Sequence, residues 1–143
     1  MTKVLAIETS CDETAASVVS NKQGIYTINS NVVASQIKDH SKWGGVVPEL
    51  AARKHLELIH FVISEAIEVA DVNYQEIDVI ASTVTPGLVG SLRIGSIAAR
   101  TLCAFYSKPF CINFRTFLHL KRQFLIVPIS SQSSKGWSFL HFI

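Results

Sequence analysis

Two short apolar runs near the start of the chain, separated by one polar segment, constrain its fold more than any other feature. KVLAI at Lys3–Ile7 and AASVVS at Ala15–Ser20 have the length and character of buried strands. The segment between them, ETSCDET at Glu8–Thr14, is polar and short. The chain therefore opens with a strand, a tight polar turn and a second strand.

The next part of the chain predicts a third strand and then a helix. Asn21–Gly24 is a hairpin-type connection, followed by a strand at Ile25–Asn29 and its continuation at Asn31–Ile37. Asp39–Val47 contains a Trp-Gly-Gly sequence and is interpreted as a loop. Pro48 suits the first turn of a helix because its missing N–H needs no partner there.

Strands and helices alternate in the following residues. Apolar side chains recur at helical spacing over Glu49–Ala70, which predicts an amphipathic helix. Ile77–Val84 is the next predicted strand, and a turn follows at Thr85–Gly90. A second helix is predicted at about Ser91–Tyr106, and a short strand at Lys108–Ile112.

Composition excludes several classes of protein. A chain that is 48% hydrophobic and 17% charged is not disordered. All 11 acidic residues lie at or before Asp78, together with 6 of the 13 basic ones, so the later residues carry only positive charge. Three cysteines without a CxxC pair favour a reducing, cytoplasmic compartment. The sequence contains neither a signal peptide nor a membrane-spanning run, so we expect a soluble protein.

The polar segment Glu8–Thr14 is the first candidate site. A strand that ends in Thr9 and Ser10 presents hydroxyls and turn N–H groups at one place, with the carboxylates of Asp12 and Glu13 just beyond. Phosphate oxygens bind to such donors, and nearby carboxylates can hold a cation or orient a water. The alternative is an ordinary turn with solvated acids, which spacing alone favours.

The segment Thr83–Gly95, TVTPGLVGSLRIG, is the second candidate site. A strand that ends in a Pro-Gly turn and enters a helix places backbone N–H groups at a helix N-terminus, where an anion is stabilised. The alternative is a connection whose glycines serve turn geometry and close packing. The segment matches neither the P-loop nor the GxGxxG pattern, so it is weak as a general motif.

The third candidate is GGVVPELAARKH at Gly44–His55. Glu49 lies near the positive end of the predicted helix, and Arg53 follows one turn later, which favours a local capping pair. His55 and His60 are interpreted as surface or packing histidines rather than as ligands.

Three segments in this order resemble the N-terminal signatures of one family: IETSCDET at Ile7–Thr14, GGVVPELAARKH at Gly44–His55 and TPGLVGSLRIG at Thr85–Gly95. This is the bacterial and organellar tRNA threonylcarbamoyladenosine transferase family, formerly labelled glycoprotease. The resemblance covers roughly residues 3–110.

The resemblance implies an α/β fold, the first lobe of an actin-like ATPase related to ribonuclease H, with a mixed sheet and flanking helices. It implies transfer of a threonylcarbamoyl group from threonylcarbamoyl-AMP to adenosine 37 of ANN-decoding tRNAs. The implied partners are a related dimerising subunit and a P-loop ATPase, and the implied cofactor is a divalent metal such as iron or zinc. By position, it assigns catalysis to Asp12 and Glu13, and cofactor binding to Thr9, Ser10, Pro86 and Gly87.

The chain departs from the family pattern after residue 110. Family members have a His-His-x-x-Gly-His segment there, whose two metal-binding histidines align with Arg115 and His119. A guanidinium has no lone pair to donate, so His119 is left as a single candidate ligand and we expect no metal to be bound. We expect residues 1–110 to form the first lobe, the second lobe to be absent, and 111–143 to be a divergent basic and apolar tail, out of frame with the family.

Four interpretations of function stay open. The chain is a fragment of a transferase, inactive alone because nucleotides in actin-like folds are held between two lobes. Alternatively, it is a non-catalytic subunit that pairs with a full-length transferase through its helix faces. An actin-like sugar or acetate kinase would share the fold but not the three motifs. A basic RNA-binding arm has weak support because apolar residues interrupt its cations, which are Arg115, Lys121, Arg122 and Lys135.

Overall fold

The computed structural model describes residues 1–114, which form one five-stranded sheet with helices. The strands are β1 (Thr2–Glu8), β2 (Glu13–Lys22), β3 (Ile25–Ser35), β4 (Val79–Thr85) and β5 (Phe110–Phe114). The helices are α1 (Ile37–His40), α2 (Pro48–Val69) and α3 (Val89–Tyr106). Two 3-10 turns lie at Ser41–Trp43 and Tyr74–Glu76.

The order of the strands in the sheet is β3-β2-β1-β4-β5. The first three strands pair antiparallel, whereas β4 pairs parallel with β1, and β5 parallel with β4. Parallel neighbours need crossover connections, which α2 and α3 supply. The mixed sheet with flanking helices that the resemblance implied is therefore confirmed.

The predicted hairpin connection between β2 and β3 is confirmed as a two-residue turn. Gln23 and Gly24 both have positive φ angles, 53° and 85°, a combination that matches the twist of the paired strands. The N–H of Gly24 donates to Oδ1 of Asn21 at 2.9 Å, which closes the turn.

Strand β3 is continuous, so the prediction of two pieces ending at Ile37 is wrong. The register shifts because Val18 pairs with Ser30 whereas Val19 pairs with Ile28, which leaves one extra residue in β3. The N–H of Val18 donates instead to Oγ of Ser30 at 3.1 Å. The strand ends at Ser35 because the next side chain, Gln36, is fully buried between two histidines.

The main core lies between the sheet and the two long helices, which contact the same face of the sheet. The apolar face predicted for α2 is confirmed. Burying one large aliphatic side chain contributes about 1.5–3 kcal/mol, so this layer dominates the stability of the described fold. The buried core residues are Leu5, Ile7, Ala16, Val18, Ile59, Val62, Ile63, Ala66, Ile67, Ile77, Ile80, Ala99 and Cys103.

Element boundaries differ from the predictions where local hydrogen bonds intervene. Helix α2 begins at Pro48 as predicted, but residues 39–47 are not all loop because α1 and a 3-10 turn occupy the first part. Helix α3 begins two residues early, at Val89. It ends with Ser107 in a left-handed conformation and the N–H of Lys108 donating to Cys103 O at 2.9 Å, so β5 starts only at Phe110.

Gly95 allows α3 to lie directly on the sheet. A Cβ atom at this position would come within 2.5 Å of Thr9 Oγ1 and 3.3 Å of Ser82 Oγ. The N–H of Gly95 donates to the same Thr9 oxygen at 3.1 Å. Any larger residue would therefore separate α3 from β1 and β4.

We expect Gly95→Ala to lower the free energy of unfolding by about 1–3 kcal/mol, because the added methyl group overlaps Thr9. This loss would exceed the gain of about 1 kcal/mol in helix propensity. Urea unfolding of the two proteins measures the difference. Gly45→Ala is the control, since a Cβ there meets nothing within 4 Å and should change stability by less than about 0.5 kcal/mol. Equal stability of Gly95→Ala and the unsubstituted chain would contradict this account.

Candidate functional site

The candidate site lies where β1 and β4 end at one edge of the sheet. The two strands are parallel, with Ile7 opposite Ser82, so the loop after β1 and the turn after β4 emerge side by side. Open α/β sheets bind ligands outside the carboxyl ends of such strands. The first two candidate segments, which are 70 or more residues apart in sequence, therefore meet in the fold.

Ser10 and the Pro-Gly turn are in direct contact. The N–H of Leu88 donates to Ser10 O at 2.8 Å. A Cβ atom on Gly87 would lie 2.5 Å from the same carbonyl oxygen and 2.8 Å from the Cβ of Ser10, so only glycine allows this approach. The preceding peptide bond, Thr85–Pro86, is cis. The structure thus brings together three of the four predicted cofactor-binding residues.

The fourth, Thr9, is fully buried and binds to helix α3. Its hydroxyl donates to Ser91 O at 2.7 Å and accepts from the N–H of Gly95. The single hydroxyl proton is therefore used within the fold, and in this arrangement Thr9 holds α3 against β1 rather than offering a donor to a ligand.

Two buried hydroxyls near the start of α3 have no hydrogen-bond partner within residues 1–114. They are Ser10 Oγ and Ser91 Oγ, on side chains that are 1% and 0% exposed. A buried hydroxyl without a partner costs about 1–3 kcal/mol, so such groups are usually satisfied by water or a ligand. The first turn of α3 has no acidic residue, which leaves its positive end uncompensated and suited to an anion.

Asp12 and Glu13 lie at the outer side of the same loop, Asp12 partly buried and Glu13 exposed. Neither carboxylate forms a salt bridge with another residue of the described segment. The backbone of Asp12 is fixed, because its carbonyl accepts from the N–H of Gln36 at 3.0 Å. The two carboxylates are thus held on a fixed loop and are available to solvent or substrate.

His55 is a residue whose role the sequence interpretation missed. It is fully buried, its Nε2 lies 3.0 Å from Cys11 O, and its Nδ1 lies 2.7 Å from Thr14 Oγ1. Its position could have been found, because it falls on the buried stripe of α2 that includes Ala51 and Ile59. A buried ring must be hydrogen-bonded, which would have pointed to a polar partner. His60, by contrast, is exposed as expected.

Burial holds the pKa of His55 below its ordinary value of 6.5, because desolvation disfavours the charged ring. The hydrogen bond to the Cys11 carbonyl and the nearby carboxylates of Glu8 and Asp12 oppose this effect but do not reverse it. The ring is therefore neutral at neutral pH.

The predicted pair between Glu49 and Arg53 is confirmed. The Arg53 guanidinium lies 2.5 Å from Glu49 Oε1, and both side chains are largely exposed. An exposed pair of this kind contributes at most about 1 kcal/mol to stability. It is a surface feature of α2 and does not reach the site.

The described residues offer no group of three or more His, Cys, Asp or Glu side chains that could hold a metal ion. Arg115 and His119 lie outside the described residues, as do the other cations of the proposed basic arm. Arg115 cannot be a metal ligand, so the pair at these two positions does not fit the implied metal. Within residues 1–114, no helix is both long and apolar enough to cross a membrane.

Comparison with known proteins identifies what the chain is similar to. A family model described as TsaD, tRNA N6-adenosine threonylcarbamoyltransferase, matches residues 27–114. A tRNA N6-adenosine threonylcarbamoyltransferase of Prochlorococcus marinus (strain MIT 9515) is 74% identical over 110 residues, which are 77% of this chain and 31% of the relative. Another, from Cyanothece sp. (strain PCC 7425 / ATCC 29141), is 55% identical over 128 residues, 90% of this chain and 36% of the relative. The chain thus spans about a third of the length of these curated relatives.

Two solved structures share the fold at low sequence identity. YeaZ from Pseudomonas aeruginosa has a TM-score of 0.58 at 16% identity, covering 80% of this chain and 43% of that chain. T. thermophilus RuvC in complex with Holliday junction substrate has a TM-score of 0.51 at 12% identity, covering 80% of this chain and 65% of that chain. These likenesses support the fold alone.

We expect the stability of the fold to decrease with acidification, partly through His55. Since the folded chain holds a lower pKa than the unfolded chain, the unfolded state binds more protons below the unfolded value. Stability from this group is therefore complete above about pH 6.5 and is lost as the pH falls below it. Urea unfolding at about pH 7.5 and about pH 5.5 measures the loss. His55→Gln should lose less stability over this interval than the unsubstituted chain, whereas His60→Gln should lose the same amount. An equal loss in all three would contradict the assignment.

Proposed function

The chain belongs to the tRNA N6-adenosine threonylcarbamoyltransferase family, and we propose that residues 1–110 supply one wall of the site that transfers a threonylcarbamoyl group from threonylcarbamoyl-AMP to adenosine 37 of ANN-decoding tRNAs. The observation that carries this proposal is the contact between Ser10 and the Pro86–Gly87 turn. It joins two of the motifs that resemble the family into one continuous surface at the edge of the sheet.

The reaction defines which groups such a wall must provide. The N6 nitrogen of adenosine attacks the threonylcarbamoyl carbonyl carbon, a C–N bond forms, and the C–O bond to the phosphate of AMP breaks. The nitrogen loses one proton, and AMP leaves with the electron pair of the broken bond. A carboxylate can accept the proton, and preorganised donors stabilise the charge on the leaving phosphate.

We assign Asp12 and Glu13 to the catalytic side of this wall. Their carboxylates have no salt-bridge partner within residues 1–114, so they are free to bind a proton or to orient a reacting group. The loop that carries them is fixed by the bond between Gln36 N–H and Asp12 O, which supports a preorganised role.

We assign the adenylate side to Ser10 and to the start of α3. The unpartnered Ser10 hydroxyl can donate to a phosphate oxygen, and the positive end of α3 lies beside it. Pro86 and Gly87 shape this side by their contact with Ser10, and Thr9 keeps α3 in place.

The remaining parts of the proposal follow from the family. The partners are tRNA, a related dimerising subunit and a P-loop ATPase, in the cytoplasm. A divalent metal belongs to the family's site, but residues 1–114 offer no ligand group for it, so we route no step through a metal. We place the boundary of the lobe at residue 110, the first residue of β5, with 111–143 as a divergent segment. Matches over 110 residues to Prochlorococcus marinus relatives support this boundary.

A chimera tests the proposed function. Residues 1–110 of this chain are joined to the remainder of the 74%-identical Prochlorococcus marinus relative, and tRNA modification is measured in cells depleted of their own transferase. We expect the chimera to restore the modified adenosine. Asp12→Asn and Glu13→Gln should each lower the rate by about 100-fold or more, as expected for loss of a group that transfers a proton.

Glu49→Gln is the matched control, because this exposed carboxylate contacts only Arg53 on the surface of α2. It should leave the rate unchanged. Full activity of a chimera that carries both Asp12→Asn and Glu13→Gln would refute the catalytic assignment.

A second candidate function is supported by the outer faces of α2 and α3. Several large apolar side chains are exposed there, among them Phe61 at 62%, Ile97 at 61% and Phe105 at 78%. Exposed apolar groups of this size are typical of protein interfaces. The chain would then act as a non-catalytic subunit that pairs with a full-length transferase.

Co-purification tests this second function. We expect the tagged chain to retain the full-length Prochlorococcus marinus relative, and Phe61→Ser with Phe105→Ser to reduce the retained amount by about ten-fold, as for loss of two interface side chains. Ile25→Ser is the control, since this side chain is also exposed but lies on the β2–β3 hairpin. Retention that is unaffected by the phenylalanine substitutions, or its absence in the unsubstituted chain, would exclude this interface.

A further inference from the structure

The buried polar side chains around His55 form one connected set with a single consistent arrangement of protons. His55 Nε2 faces the Cys11 carbonyl, which can only accept, so Nε2 carries the proton. Nδ1 is then the acceptor, and Thr14 Oγ1 donates to it at 2.7 Å. The side-chain amide of Gln36 also donates to Nδ1, at 3.3 Å.

The same reasoning extends to His40. Gln36 has its amide nitrogen directed at His55, so its oxygen Oε1 faces His40 Nε2 at 3.2 Å and accepts the proton of that nitrogen. His40 Nδ1 is then free to accept from the N–H of Val47 at 3.3 Å. Every hydrogen bond in the set is satisfied by one assignment, with both rings neutral and protonated at Nε2.

This set joins three separate parts of the chain to the loop that carries the carboxylates. His55 belongs to α2, His40 to α1, and Val47 to the loop before α2, which is part of the third motif. Gln36 contributes twice, because its backbone N–H also donates to Asp12 O at 3.0 Å. The loop is therefore held at Cys11, Asp12 and Thr14.

We infer that His55 and Gln36 are positioning residues, which fix the backbone of residues 11–14 so that Asp12 and Glu13 point at the substrate side of the site. The assignment rests on the proposed function for the purpose of the two carboxylates. The positioning itself rests on the hydrogen bonds. Neither His55 nor Gln36 reaches solvent, so they act on the reaction only through the loop.

The first measurement uses the unsubstituted chain. Nitrogen-15 spectra of the histidine rings should show His55 with a protonated Nε2 and an unprotonated Nδ1 at neutral pH. The opposite tautomer, or a charged ring, would leave the Cys11 carbonyl or Thr14 without its partner and would overturn the inference. This readout requires no substitution, so it does not depend on a variant folding.

The second measurement compares His55→Leu with His55→Gln by amide hydrogen exchange. The Gln36 amide reports directly on its bond to Asp12, and the Leu5 amide, in the middle of β1, reports on global unfolding. His55→Leu should increase exchange at Gln36 by about ten-fold more than at Leu5, because the loop loses a buried partner. His55→Gln, whose amide can donate to Cys11 O, should restore exchange at Gln36 towards that of the unsubstituted chain. His60→Leu is the matched control on the same helix and should change neither amide.

Equal increases at Gln36 and Leu5 in His55→Leu would show a purely global effect and would overturn the inference, as would no recovery in His55→Gln. These readouts do not involve catalysis. A chimera that fails to modify tRNA would therefore refute the proposed function without changing them, whereas unaltered exchange at Gln36 would refute the positioning role alone.

Discussion

The parallel pairing of β1 with β4 is the constraint on which the candidate site depends. It places the ends of two strands, separated in sequence by a helix and two further strands, at the same edge of the sheet. The loop after β1 supplies hydroxyls and carboxylates, and the turn after β4 supplies a glycine that allows backbone contact at Ser10. Without this pairing, the two motifs would have no common surface.

Close packing of α3 and buried polar bonding by α2 then hold the two loops in place by different means. At α3, a glycine and a threonine hydroxyl bring helix and strand together, so distance is controlled by the absence of a side chain. At α2, His55 extends from an otherwise apolar face to the Cys11 carbonyl. A hydrogen bond in a desolvated region is directional, so this contact fixes orientation as well as distance.

Local sequence patterns predicted most elements, because strands such as Lys3–Ile7 and the start of α2 at Pro48 depend on nearby residues alone. Prediction failed where a distant partner decided the outcome. The end of β3 follows from the burial of Gln36 against His55 and His40, and no local pattern contains that contact. The meeting of Ser10 with Gly87 follows from the strand order, which periodicity does not specify. The role of His55 required both its place on the buried stripe and the position of Cys11.

The irregular pairing between β2 and β3 has a consequence for how copies of the chain behave together. Among the described strands, β3 lies at one border of the sheet and exposes Ile25, Ile28 and Val33. A flat border with such side chains would template the addition of a strand from another molecule. The extra residue opposite Val18 and Val19 bends the border and interrupts its row of free backbone groups. The displaced residue thus disfavours fibril-like aggregation at the most apolar margin of the sheet.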